Sequence, residues 1–71
     1  MTLKDISNVI STSTYIKICQ KIEYENVSLY MQSNVLSTNE FKVLVEKSDR
    51  LAYMLVDFIS ARDNNLYIGV Y

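Results

Sequence analysis

The 71 residues include one Gly, no Pro, one Cys, no His and no Trp, and seven Lys or Arg against eight Asp or Glu leave a net charge of −1. A chain this short is a single small domain, spanning 1–71, and a lone Cys19 without any His excludes an internal disulfide and the common zinc ligand sets. Charges scattered singly along the chain lack the basic stripe that phosphate neutralisation requires, and eight carboxylates are too few for a mimic of DNA, so nucleic acid is not an expected partner.

Below roughly 70–80 residues a single core seldom suffices for stability, and small domains lean on staples or partners. What remains is tight packing, self-association or docking on something larger, and on stability grounds a homodimer is among the expected assemblies. The 49% apolar content is that of a globular chain rather than a disordered one. No apolar run approaches the roughly 18–20 residues of a membrane span, and residues 1–10 differ from a signal peptide because Lys4 and Asp5 interrupt their apolar pattern. The expected setting is a reducing cytoplasm, where a free Cys is ordinary. Ile, Lys, Asn and Tyr number 24 against five for Gly, Pro, Ala and Arg, the balance of an AT-rich genome.

In chain order, Thr2-Leu3-Lys4-Asp5 fits a capping box, and Leu3, Ile6, Val9 and Ile10 recur at helical spacing, which predicts a helix over 3–10. Ser11-Thr12-Ser13 should end it. Ile16 and Ile18, with Ile22 in step, then alternate with Tyr15, Lys17 and Cys19 as in a strand, and the polar stretch 20–26 should form the turn into a second, antiparallel strand with Val27, Leu29 and Met31 on one face. Ser37-Thr38-Asn39-Glu40 is a second capping box ahead of an apolar stripe, predicting the main helix over 38–52. Residues 55–61 alternate again. Arg62-Asp63-Asn64-Asn65 is turn chemistry, and Leu66, Ile68 and Val70 complete a C-terminal hairpin.

The order α-β-β-α-β-β implies an α+β fold: a four-stranded, mostly antiparallel sheet with two helices on one face. The expected inward set is Leu3, Ile6, Ile10, Ile16, Ile18, Val27, Leu29, Met31, Phe41, Leu44, Val45, Leu51, Phe58, Leu66, Ile68 and Val70. The outward set is then Tyr15, Lys17, Cys19, Ser28, Tyr30, Gln32, Leu55, Ile59, Tyr67 and Tyr71.

Little of this composition suits catalysis. Without His, Cys19 and the eight serines lack their usual activator, and Cys19 on a strand reads as a small packed residue. A single Gly69 cannot build a phosphate-binding loop; inside a strand it points to a bulge or a close approach. The carboxylates Glu23 and Glu25, and the Asp63-Asn64-Asn65 cluster, lack calcium-loop spacing and read as solvated turns. No catalytic residue, metal or cofactor is expected. The outward tyrosines are the informative feature, since tyrosine offers large contact area, a polar tip and few rotamers to freeze. They suit ordinary cross-strand pairing, a protein contact, or less well a base-stacking platform. The candidate partner-binding residues are Tyr15, Lys17, Tyr30, Ile59, Tyr67 and Tyr71.

The opening Met1-Thr2-Leu3-Lys4-Asp5-Ile6 with Val9-Ile10 and Ile16-Lys17-Ile18, and the ending Val56-Asp57-Phe58-Ile59-Ser60-Ala61 with Asp63-Asn64-Asn65-Leu66-Tyr67-Ile68, resemble short α+β proteins carried by phages and prophages of low-GC Gram-positive bacteria. Their size and context resemble those of small anti-defence inhibitors, anti-CRISPR proteins among them. The resemblance implies a non-enzymatic protein of the host cytoplasm that binds and blocks a host protein, such as a component of antiviral defence. Two other readings stand beside it: an oligomeric sponge that stacks a nucleotide on its tyrosines with Lys17 or Arg62 at phosphate, and a structural or regulatory subunit of the phage.

Overall fold

In the computed structural model, which describes residues 1–10 and 14–71, the chain runs α1 (Leu3–Val9), β1 (Tyr15–Tyr24), β2 (Val27–Gln32), β3 (Leu36–Ser37), α2 (Thr38–Lys47), α3 (Asp49–Ala52), β4 (Val56–Arg62) and β5 (Asn65–Val70). The α+β class matches the sequence reading. The expected helix stop at Ser11-Thr12-Ser13 lies outside the described residues.

Both capping boxes form. The Thr2 N–H donates to Asp5 Oδ2 at 2.9 Å while the Asp5 N–H donates to Thr2 Oγ1 at 3.3 Å. That backbone donor is the main reason the Asp5 carboxyl lies below its ordinary value. Ser37 and Glu40 repeat the exchange at 3.1 and 3.2 Å. The single helix expected over 38–52 is two. Ser48 closes α2 with an extended backbone, and its hydroxyl accepts from the Leu51 N–H at 3.2 Å to start α3. A serine that competes for backbone hydrogen bonds divides the helix.

The sheet order is β2-β1-β5-β4, with β3 pairing the start of β1. Two antiparallel hairpins, β1–β2 and β4–β5, are joined through parallel pairing of β1 with β5, for example Ile18 with Ile68. Among the described residues the sheet is therefore mixed and five-stranded, and three helices replace the expected two. The first turn is also shorter than expected. β1 continues to Tyr24, leaving only Glu25 and Asn26 with positive φ (47° and 67°), and Asp63 and Asn64 (50° and 64°) make the matching turn of the second hairpin. Two consecutive left-handed residues are the geometry of a type I′ hairpin.

All three helices lie on one face. Leu3, Ile6, Phe41, Val45 and Ala52 meet Ile16, Ile18, Ile68 and Val70 in one buried cluster, with Ile10, Leu51 and Leu66 packed against it. The two central strands thus supply the floor of the core. Four members of the expected inward set are exposed instead: Val27 (54%), Leu29 (51%), Met31 (65%) and Leu44 (40%). The three β2 residues do face the helix side, because Met31 pairs with Gln20 and Leu29 with Ile22, but the helices reach only the Met31 end, where Leu44 and Leu51 line a groove with it, and all three stay exposed.

Phe58 is a correction of another kind. Val56 pairs with Val70 and Phe58 with Gly69, so Asp57 is the extra residue of a β-bulge. The bulge turns Phe58 to the face away from the helices. Beyond it Ile59 pairs with the buried Ile68, which sets Ile59 on the helix side rather than in the expected outward set.

Candidate interaction surface

Alternation from the buried Ile16 and Ile18 directs Tyr15, Lys17, Cys19, Lys21 and Glu23 of β1 to the bare face. The register adds Ser28, Tyr30 and Gln32 from β2, Tyr67 and Gly69 from β5, and Phe58, Ser60 and Arg62 from β4. Tyr71 follows the last strand, its N–H bonded to the Leu55 carbonyl at 3.1 Å, and is exposed. Of the six candidate residues, Tyr15, Lys17, Tyr30 and Tyr67 share this face, Tyr71 stands at its end, and Ile59 is excluded from it. Tyr15, Tyr30 and Tyr71 are exposed, whereas Lys17 and Tyr67 are half-buried.

Two clusters organise the face. In the first, the central strands carry small residues, Cys19 beside Gly69, and the rings of the outer strands lean over them: Tyr30 from β2 and Phe58 from β4 meet edge to face, centroids 5.5 Å apart at 79°. A Cβ on Gly69 would collide with the Phe58 ring at Cε1, so only glycine leaves room for the ring. Cys19 is correspondingly buried. The Tyr30 hydroxyl donates to Asp57 Oδ2 at 2.9 Å, and this bond raises the phenol above its ordinary pKa. The bulge therefore has two effects, turning Phe58 onto Gly69 and offering the Asp57 carboxylate to Tyr30. Tyr30 is a clasp across the sheet as well as an exposed ring.

The second cluster centres on Tyr67. Lys17 Nζ lies 5.8 Å from the ring centroid and Arg62 Cζ 4.9 Å from it, the two cations arriving from the strands on either side of β5. Such contacts orient charges that would otherwise sweep through solvent. Tyr15, two residues before Lys17, adds an exposed ring beside this pair. The flanking cations compete for the ring with any base that would stack there.

No family model, curated protein or solved structure matches this chain. Its own geometry carries the functional argument. Among the described residues no cluster of three or more His, Cys, Asp or Glu could hold a metal ion, and no helix is long and apolar enough to cross a membrane. On the opposite side, an open groove of ≈ 430 Å³ runs between the helices past Lys4, Asn8, Lys42, Glu46 and Asp49, with Lys4 Nζ 5.5 Å from the Tyr53 ring.

The sequence reading leaves Arg62 out of the outward set, placing it beside the tyrosines only in the nucleotide-stacking alternative, and it misses Phe58 as the second aromatic anchor. Arg62 was legible as the third of an alternating set with Phe58 and Ser60. The bulge that decides which face this set occupies has only Gly69 as a signal.

Proposed function

We propose that this chain is a non-enzymatic binding protein whose bare sheet face docks on a protein partner, and that it acts as a phage or mobile-element inhibitor of a host protein, such as an antiviral-defence component. The observation that carries the binding reading is the Lys17–Tyr67–Arg62 arrangement with Tyr15 beside it. Aromatic area and oriented cations together are what interface hot spots are built from. The matching partner surface is an apolar patch bearing carboxylates, which would take the two cations as Tyr15 and Tyr67 are covered. Tyr30 and Tyr71 extend the same surface, while Ile59 belongs to the other side of the sheet. The phage and host assignment rests on the resemblance of the two chain ends.

The test uses the host protein that co-purifies with the chain from infected cells. Replacing Lys17 and Arg62 together by Glu (K17E/R62E) should weaken that complex at least tenfold, about 1.4 kcal/mol, with circular dichroism unchanged. Unaltered affinity removes the face from the interface. This pair is a cleaner probe than Tyr30, whose ring also packs on Phe58.

A further inference from the structure

The two edges of the sheet differ in how they are protected. The β4 edge begins beneath the N-terminal segment, where the Val56 N–H donates to the Met1 carbonyl at 2.8 Å and Thr2 bridges Leu55. It then bulges at Asp57 and ends in Arg62. Cover, bulges and charges are the means by which edge strands avoid pairing with other chains. The β2 edge has none of them. Residues 27–39 contain no charged side chain and no Pro, and every residue of β2 is exposed.

The parity of the β2 ladder follows from one bond. The Ser33 N–H donates to the Ile18 carbonyl at 2.8 Å, so Val27, Leu29 and Met31 bond inward to β1. Ser28, Tyr30 and Gln32 then direct their backbone N–H and C=O groups out of the sheet, as alternation in an antiparallel pair requires. Three consecutive outward pairs form a ready template for another strand.

Apolar surface collects beside this template. On the helix side, Leu36, Leu44 and Leu51 wall a groove of ≈ 450 Å³ above Gln20 and Met31. Past the groove Ile22, Tyr24, Val27 and Leu29 are bare, and Val35, Val43 and Leu44 are exposed nearby. With Met31 that makes eight exposed, largely apolar side chains beside one edge, and an interface of standard size takes about 800 Å² from each partner. The whole chain exposes 4986 Å², against about 4,500 Å² for a compact monomer of its mass.

We propose that the chain is a homodimer formed by antiparallel pairing of β2 with β2 of a second copy, centred on Tyr30. This register satisfies all three outward backbone pairs and sets Leu29 against Met31 of the other copy. It also explains why the occupant is a second copy. Antiparallel pairing brings the Gln32 end of one β2, with the Leu36 and Leu44 wall above it, alongside the bare Val27 end of the other. Each copy thus supplies the apolar cover that the other lacks. The two four-stranded paths become one eight-stranded sheet, and the protected β4 edges stop its growth at two copies. The inference does not depend on the Lys17–Tyr67–Arg62 patch, which lies on the other face and nearer the other edge.

Sedimentation of the intact chain decides it. The wild type should weigh twice 8.2 kDa. Gln32→Pro removes an outward N–H that a lone edge strand does not use, and Met31→Lys places a charge on the exposed seam. Both should give 8.2 kDa species with unchanged far-UV dichroism, and if the proline variant fails to fold, Met31→Lys alone carries the comparison. A wild type of 8.2 kDa at every concentration up to about 0.1 mM overturns the proposal. So does a dimer that survives Met31→Lys undiminished.

Discussion

At the scale of single residues, Gly69 decides the packing of the bare face. Its φ is not positive, so an added methyl would meet no backbone penalty, and Gly→Ala at a compatible position commonly stabilises by about 0.4–1 kcal/mol through the unfolded chain. Here the contact opposes that gain, because the Phe58 ring already occupies the space a Cβ needs. Gly69→Ala must push the ring aside and loosen its contact with Tyr30. The expected net loss is about 1–3 kcal/mol, the range of overpacked cores, measured by urea denaturation. The double variant Gly69→Ala/Phe58→Ala gives the contrast. With the ring gone the alanine should cost nothing relative to Phe58→Ala alone, and an equal cost in both backgrounds would show that the ring is not the obstacle. The sequence marks Gly69 as a bulge or a close approach, and both occur. It does not reveal that the intruder is an aromatic ring from the neighbouring strand, which alternation alone assigns to the opposite face.

At the scale of elements, the two hairpins share a backbone turn but not its chemistry. Asp63-Asn64 uses residues that tolerate the left-handed region, whereas the first turn places Glu25 there at φ 47° before Asn26. An ordinary side chain in that region costs roughly 1–2 kcal/mol. Glu25→Asn should therefore stabilise the protein by about 0.5–1 kcal/mol, seen as a higher urea midpoint at an unchanged slope. A midpoint that does not move would show that Glu25 carries no such cost. Legibility follows the same division. The second turn is legible because Arg62-Asp63-Asn64-Asn65 announces itself, while the first reads as a turn over 20–26 because Gln20, Lys21, Glu23 and Glu25 look like one polar loop, even though Ile22 keeps step with Ile16 and Ile18. Ile22 and Tyr24 in fact continue the alternation of Ile16 and Ile18, and the charges between them stand on the bare face. Both capping boxes were legible, being local. The break at Ser48 was less so, since it depends on one hydroxyl choosing the Leu51 N–H.

At the scale of the whole molecule, what escapes the sequence is which surfaces cover which. Period two assigns Leu29 and Met31 to the helix side correctly, yet burial there depends on the reach of α2, and that is fixed by tertiary packing. The same holds for the parallel β1–β5 junction: each hairpin is encoded by its turn, whereas the pairing between hairpins is a long-range contact with no local signature. An unprotected edge, an apolar margin and a small core then converge on a single physical consequence. If the second copy completes the fold, stability must depend on mass action, because unfolding releases two chains. Each tenfold increase in concentration adds about 1.4 kcal/mol per dimer, shared between two chains. For domains of this size that corresponds to a rise in Tm of roughly 3–6 °C. Calorimetric scans across a hundredfold dilution should trace this slope for the wild type and a flat line for Met31→Lys, whose Tm should match that of the most dilute wild type. A wild-type Tm independent of concentration would mean that the core of Leu3, Ile16, Phe41, Ile68 and their neighbours holds the chain without help, leaving the exposed β2 margin free for a partner of another kind.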